Sequence, residues 1–213
     1  MLDAFVATAQ RRALQEGEQL FRRGDDPSDG IYVALTGSIR LSGTSPEGRE
    51  AVFTFFQPGN LFAEVGPLDG EGRSHDATAH VVTTLLNVSR SRLEALIAEH
   101  PGLCRSLLKL EAARLRLIMA LAESYATHSL EKRFAGRLLA LGLVYGTRSS
   151  DGLDIQLRLP QETLARLAGV SRQRVNQLLK GWENQGLIRQ GYGHITLVDV
   201  AKFERHAEPY LVV

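Results

Sequence analysis

Residues 159–188 read LPQETLARLAGVSRQRVNQLLKGWENQGLI. The stretch predicts two helices joined by a tight turn. Leu164 and Ala168 repeat at i, i+4 and give the first helix an apolar face, while Ala165 leaves room for a second helix to cross closely. Gly169 falls where the chain must turn sharply, a place for positive φ. Ser171 can cap the second helix. Val175, Leu178, Leu179 and Trp182 then recur at i, i+3, i+4, i+7, the buried stripe of an amphipathic helix. That stripe turns Arg172, Gln173, Arg174, Asn176, Gln177 and Lys180 outward. Such side chains read base edges or hold phosphates when the N-terminal end of a helix enters the major groove. The pattern is that of a helix-turn-helix.

The flanks extend this reading. Leu153 to Leu159 alternates apolar and polar residues and predicts a strand, and Leu130 to Tyr145 predicts a helix with Phe134, Leu138 and Leu141 on one face. Residues 186–189 and 191–197, the latter including Tyr192 and His194, predict a small hairpin, a wing whose tip can touch phosphates. Asp199 is placed to cap a last helix over 200–205. Residues 129–213 therefore form a winged helix-turn-helix domain.

Upstream of this lies a rod. Pro101 separates a helix over 89–99 from a long one over 102–127, roughly 39 Å at 1.5 Å per residue. Its apolar residues form two seams. Cys104, Leu108, Leu115, Ile118, Ala122 and Tyr125 make one, interrupted by Glu111, and Leu107, Leu110, Leu117 and Leu121 make the other. A helix apolar on two sides must be covered on two sides. One seam can pack on its own domain, which leaves the first, with Leu108, Leu115, Ile118, Ala122 and Tyr125, for a second copy of the chain. Residues 101–128 are accordingly expected to be a dimerisation helix.

From Gly17 to Val88 the texture is β. Ile31, Val33, Leu35, Ile39 and Leu41 alternate with smaller or polar residues, and Val52, Phe53, Phe55 and Phe56 form another run. Turn residues punctuate them at 24–27, 37–38, 45–48 and 57–60, where Pro58-Gly59 suits a type II turn. Short strands at this spacing predict an antiparallel sandwich or roll over residues 1–100, with residues 1–13 as a short helix or arm. The fold class expected is thus α+β: a β-roll, a long helix and a winged helix-turn-helix.

Charge and cysteine narrow the chemistry. Net charge is only +1 over 213 residues. Residues 1–128 carry 13 Lys+Arg against 16 Asp+Glu, and residues 129–213 carry 12 against 8, so −3 is followed by +4. The basic part is the one that suits a polyanion. The single cysteine, Cys104, excludes an intrachain disulfide and a thiolate cluster, and its leucine neighbours predict burial. No run reaches the ~18 apolar residues of a membrane span, so a cytoplasmic location is expected. His75, His80, His128 and His194 occur singly, without a nucleophile or metal spacing beside them, which argues against an enzyme.

The order of these parts, with EGEQLFRRGDDPSDGIYVALTGSIRL at 16–41, PGNLFAEVG at 58–66, RSHDATA at 73–79 and SRQRVNQLL at 171–179, resembles the catabolite activator / fumarate–nitrate regulator family of bacterial transcription factors. The resemblance covers nearly the whole chain. It implies a homodimer on a near-palindromic double-stranded operator, with RNA polymerase as a further partner. It also implies an effector cavity: Glu64 takes the position of the carboxylate that holds a ribose hydroxyl, and Arg73 and Ser74 those of the pair that binds a cyclic phosphate. Phe62, Ala63 and Val65 belong to the same loop, whose N–H groups can add donors. Arg172 matches the guanine-reading arginine. Gln173 stands where many members have Glu, and Gln177 where many have Arg, so the half-site is expected to differ at two bases. Arg174 and Lys180 fall to phosphates, and Ser171 heads the helix.

The chain departs from the family pattern in three places. Ala63 replaces the usual Gly, His75-Asp76 follow Ser74 where a small and a neutral residue are usual, and Ile118-Met119 stand where the cyclic-AMP-responsive activator reads adenine through a Thr–Ser pair. The N-terminal cysteine cluster of the oxygen-sensing branch is missing. Two alternatives for the effector stay open: a cyclic nucleotide such as cyclic AMP, or none. A nucleotide-controlled module for another protein is a third, which the helix-turn-helix disfavours.

Overall fold

The computed structural model describes residues 2–191 and 193–207. Contacts divide the chain into two compact units, 1–108 and 109–213. The expected wing residue Tyr192 lies outside the described residues.

The first unit opens with α1 (Leu2–Thr8) and then eight strands: β1 (Gln10–Leu14), β2 (Gln19–Phe21), β3 (Ile31–Thr36), β4 (Ile39–Thr44), β5 (Glu50–Phe56), β6 (Leu61–Phe62), β7 (Asp76–Ala79) and β8 (Thr83–Val88). They make two antiparallel four-stranded sheets, ordered β1-β8-β3-β6 and β2-β7-β4-β5. In β3 the core side falls on the other phase of the alternation: Tyr32 and Ala34 are buried with Ile31, while Val33 and Leu35, expected on the apolar face, are only half-buried. Tyr32 and Ala34 join Leu14, Leu20, Phe21, Ile39, Phe62, Ala77, Ala79 and Leu85 in a core shared by the two sheets. The turn at 57–60 closes as expected, with Gly59 at φ +90° and the Asn60 N–H on the Gln57 carbonyl at 2.9 Å. Residues 10–14, expected to continue a helix or arm, are a strand instead. They pair with β8 from Gln10–Asn87 to Leu14–Thr83, which satisfies that strand's free edge.

A short helix α2 (Val65–Asp69) interrupts the strands, and α3 (Arg90–Glu99) follows them. Leu93 and Leu96 of α3 pack with Ile31, Val88 and Leu107 in a second cluster.

The long helix α4 (Pro101–Thr127) begins in the first unit and continues into the second. Its two seams have different fates. Leu107 is buried and Leu110, Leu117 and Leu121 are half-buried. On the other seam Leu108, Leu115, Ile118 and Tyr125 are 65%, 57%, 60% and 55% exposed, and Ala122 is exposed too. Cys104, expected to be buried by its leucine neighbours, is exposed because it lies on this same open seam.

The second unit is built on α5 (Leu130–Tyr145), with Ser129 capping it through the Lys132 N–H. Then come β9 (Gly146–Ser149), β10 (Gly152–Ile155), α6 (Gln161–Ala168), α7 (Arg172–Asn184), β11 (Ile188–Gln190), β12 (Ile195–Leu197) and α8 (Val200–Glu204). Trp182 of α7 is fully buried, stacked on Phe134 at 5.5 Å and met edge-on by Phe203 at 5.3 Å, with its indole N–H on Glu131 at 3.1 Å. One aromatic cluster thus ties α5, α7 and α8 together. The strand expected over 153–159 ends at Ile155. Leu153, Ile155, Leu157 and Leu159 are all buried, as the alternation requires, but past Ile155 the ladder stops, with the Gln156 N–H on Tyr145 and the Leu159 N–H on Gly193.

Candidate nucleic-acid interface and effector cavity

In the second unit, the turn between α6 and α7 has the predicted local chemistry. Gly169 closes α6 at φ +68°, with its N–H on the Ala165 carbonyl. Ser171 Oγ accepts the Arg174 N–H at 3.2 Å, an N-cap whose removal costs roughly 1 kcal/mol. Val175, Leu178, Leu179 and Trp182 are buried, so the opposite face is fixed in direction: Arg172, Gln173, Arg174, Gln177 and Lys180 are all exposed. Asn176, expected on that face, is only half-exposed, and its Oδ1 is shut from water without a hydrogen-bond partner.

Two contacts organise the exposed face. Arg172 donates from Nε to Gln161 Oε1 at 3.1 Å, across from α7 to α6. This anchors the guanidinium at its base and leaves the terminal nitrogens, those a guanine edge takes in a bidentate pair. Arg174 donates to Gln177 Oε1 at 3.2 Å. A further basic residue, read in sequence only as part of a strand, lies beside the wing. Arg158 is exposed, and its Cγ would lie 3.3 Å from a Cβ placed on Gly193, next to the Leu159 N–H bond to the Gly193 carbonyl. It read as one polar residue of an alternating strand, and only its place beside the wing marks it.

In the first unit, a cavity of about 50 Å³ is lined by Phe21, Leu41, Phe56, Ala63, Glu64, Val65, Gly66, Arg73 and Ser74. Five of the six expected effector residues therefore come together. Phe62 does not: its ring is fully buried, between Phe56 at 4.8 Å and Tyr32 at 5.6 Å, because its position on β6 points it into the core. Val65 is on the cavity rim, well exposed.

Arg73 is 2% exposed. Its Nη1 donates to the Ala63 carbonyl at 2.5 Å, and its Nη2 to the Gly30 carbonyl at 2.6 Å and to the Asp29 carboxylate. The guanidinium lies over the Phe21 ring at 4.5 Å. Asp29 in turn accepts from the Tyr32 hydroxyl, and burial together with that bond pushes the Tyr32 phenol well up. Asp29 was not anticipated from sequence as a partner of Arg73. One donor is left over: Arg73 Nε, buried and without a hydrogen-bond partner. A buried charged N–H held beside a cavity fits an anion. Asp76, which the sequence placed near that anion, is directed elsewhere, its Oδ1 taking the Arg23 N–H at 2.9 Å.

Ala63 has φ +68°, alone among the described non-glycine residues. The twist turns its carbonyl toward Arg73. A non-glycine residue there costs roughly 1–2 kcal/mol, partly offset by the entropy an alanine removes from the unfolded chain. Ala63→Gly is expected to stabilise the protein by about 1 kcal/mol in denaturant unfolding. A loss of stability would mean that the loop is unstrained.

These residues fit the phosphate and ribose of a cyclic nucleotide: Arg73 and Ser74 for one, buried Glu64 for the other. The cavity as it stands is well below the roughly 300 Å³ at which ordinary ligand clefts begin, and it is smaller than a whole nucleotide needs. Ile118 and Met119 are both exposed. Among the described residues no cluster could hold a metal ion, and no helix is long and apolar enough to cross a membrane.

Comparison with known proteins agrees with this division. Residues 11–100 match the cyclic nucleotide-binding domain, and residues 132–206 match the Crp-like helix-turn-helix domain. The chain is 31% identical over 206 residues to the cyclic AMP receptor protein of Thermus thermophilus, covering 97% of this chain and 92% of that one. It is 29% identical over 191 residues to a CRP-like cAMP-activated global transcriptional regulator of Mycobacterium tuberculosis, covering 90% and 85%. Among solved structures, FixK2 from Bradyrhizobium japonicum superposes with a TM-score of 0.83 at 20% identity over 95% of this chain and 99% of that one, a likeness of fold.

Proposed function

The chain belongs to the Crp-like family of transcription regulators, with a cyclic nucleotide-binding domain and a DNA-binding helix-turn-helix domain, and from that premise we propose that it acts as a homodimer on a near-palindromic operator under the control of an anionic effector. The observation that carries the DNA-binding part is the α7 surface: a helix locked by its buried stripe, with Arg172, Gln173, Arg174, Gln177 and Lys180 on the open side. Arg172 reads guanine. Gln173 and Gln177 favour adenine, whose N6 and N7 suit a carboxamide. Arg174, Lys180 and Arg158 hold phosphates, and Ser171 fixes the start of the helix. The homodimer rests on the open α4 seam, and RNA polymerase is the further partner.

The effector reading rests on Arg73 Nε. Arg73 and Ser74 hold the phosphate, Glu64 a ribose hydroxyl, and Ala63 and Val65 shape the loop, with Phe62 as its support in the core. A cyclic nucleotide supplies charge and ribose hydroxyls to these groups; the chain supplies orientation and the exclusion of water.

Selection of random duplexes by the purified protein, with and without cyclic AMP, tests both parts. A near-palindrome is expected, with half-sites centred about 34 Å apart and enrichment raised by the nucleotide. Enrichment unchanged by cyclic AMP leaves a DNA regulator with another control. No enriched sequence under either condition would sink the DNA reading. Arg158→Ala should weaken binding evenly across sequences and lower the log–log salt slope by about 1 per half-site contact; an unchanged slope removes Arg158 from the interface.

A further inference from the structure

The cavity has a residue behind it that the family pattern does not account for. His75 stands where a small residue is usual, and its Nδ1 lies 3.0 Å from Ser74 Oγ. The imidazole is half-buried and meets the Phe53 ring edge-on at 4.8 Å. Gly43 on β4 leaves space for this pair: a Cβ there would sit 3.0 Å from the Phe53 ring and 3.7 Å from His75 Cδ2. Ser74 itself lines the cavity beside Arg73.

A serine hydroxyl has one proton to give. When His75 Nδ1 carries no proton, Ser74 donates to it and turns lone pairs toward the cavity, where an anion is repelled. When Nδ1 carries a proton, in the imidazolium or in the neutral Nδ1–H tautomer, it donates to Ser74 Oγ and the hydroxyl proton is free for the anion. The imidazolium adds a full positive charge behind that bond, so a bound anion favours the cation over the neutral tautomer. We propose that His75 is the positioning residue that decides whether Ser74 offers a proton or a lone pair to an anionic ligand, so that capture of the phosphate is linked to a proton. This rests on the reading of the cavity as a cyclic-nucleotide site.

The charged groups acting on His75 are Arg23 and Asp76; Phe53, Gly43 and Ser74 around it are uncharged. Burial, and after it the Arg23 charge, holds the imidazole below its ordinary value, against a smaller upward pull from Asp76. In the free protein His75 is therefore neutral near pH 7. An anion received by Ser74 favours the protonated ring and raises its pKa. Binding is then strongest below the free-state pKa and weakens as pH rises through the bound-state pKa. The phosphodiester of cyclic AMP stays a single anion over this range, so the slope belongs to the protein.

The test is calorimetric titration of the full-length chain with cyclic AMP from about pH 5.5 to pH 8, a range that brackets an ordinary histidine near 6.5. The wild type should bind about tenfold tighter at the acid end, one pKa unit of coupling. His75→Asn keeps an amide donor for Ser74 and cannot titrate, so it should bind with no pH slope. Ser74→Ala should bind more weakly and also lose the slope. A slope that persists in Ser74→Ala overturns the proposal, because His75 would then act through space. A flat wild type that still binds cyclic AMP overturns it too and leaves the cavity reading intact. A wild type silent toward cyclic AMP and cyclic GMP at every pH ends the cavity reading, and the proposal with it. Equal melting temperatures for the variants exclude misfolding as the cause.

Discussion

Arg172→Ala is expected to abolish preference at one guanine of each half-site and to lower affinity for the selected operator by about 2–6 kcal/mol, twice the ~1–3 kcal/mol of one bidentate arginine–guanine pair. The doubling follows from symmetry: one substitution acts in both half-sites of a homodimer. The size of the effect follows from geometry. Val175, Leu178, Leu179 and Trp182 are buried, so α7 cannot roll to bring another side chain to the same base. Gln161 holds the Arg172 Nε, so the terminal nitrogens are presented with little entropy left to lose. The sign of specificity separates this from a phosphate contact. Lys180→Ala, on the same helix and also exposed, should weaken binding to all duplexes alike and reduce its salt dependence. Competition binding against operators changed one base at a time reads both. If Arg172→Ala lost affinity evenly at every position, Arg172 would be a phosphate residue and the assignment of the reading head would fall.

Most of this site could be read from residues 159–188 because its determinants are local. Caps, a turn glycine and a helical stripe all act within one or two turns, and Gly169, Ser171 and Trp182 do what their spacing implied. The β-roll was legible for the same reason, as turns and alternation set short antiparallel strands. What escaped were features made by distant parts of the chain. Asp29 meets Arg73 across 44 positions, and no pattern in either segment announces it. β9 is hidden in the turn-like residues Gly146–Ser149, and becomes a strand only because β10 returns to pair with it. Phe62 shares a motif with Ala63 and Glu64, yet the strand's alternation sends its ring into the core and leaves the cavity to its neighbours. The histidine after Ser74 looked like a defect in the family pattern. Its ring instead bonds the one hydroxyl that the motif brings to the cavity.

The second large effect concerns α4. Positions 104, 108, 111, 115, 118, 122 and 125 follow one another by four and three in turn, the spacing of a two-stranded coiled coil. Leu108, Leu115 and Ile118 on this line are more than half exposed, while on the other stripe Leu107 is buried and Leu110, Leu117 and Leu121 are half-buried. An open row of large apolar residues at this spacing suits a second α4. Burying each of these side chains stabilises the pair by about 1.5–3 kcal/mol per copy. Ile118→Lys removes that burial on both copies and sets two ammonium groups against each other. The variant should sediment as a 23.4 kDa monomer at concentrations where the wild type is dimeric, and lose at least roughly 100-fold in affinity for the full operator, since the second half-site is no longer tethered. The Leu107 stripe is untouched, so the monomer should stay folded and keep its circular dichroism. Glu111 supplies the opposite sign. It sits on the same line, paired with Arg114 at 3.3 Å, and a charge at such a position sets register at a cost in stability. Glu111→Leu should therefore tighten the dimer. A wild type that remains monomeric when concentrated, or an Ile118→Lys variant that still dimerises and binds its operator, would show that α4 is not the seam on which the two reading heads depend.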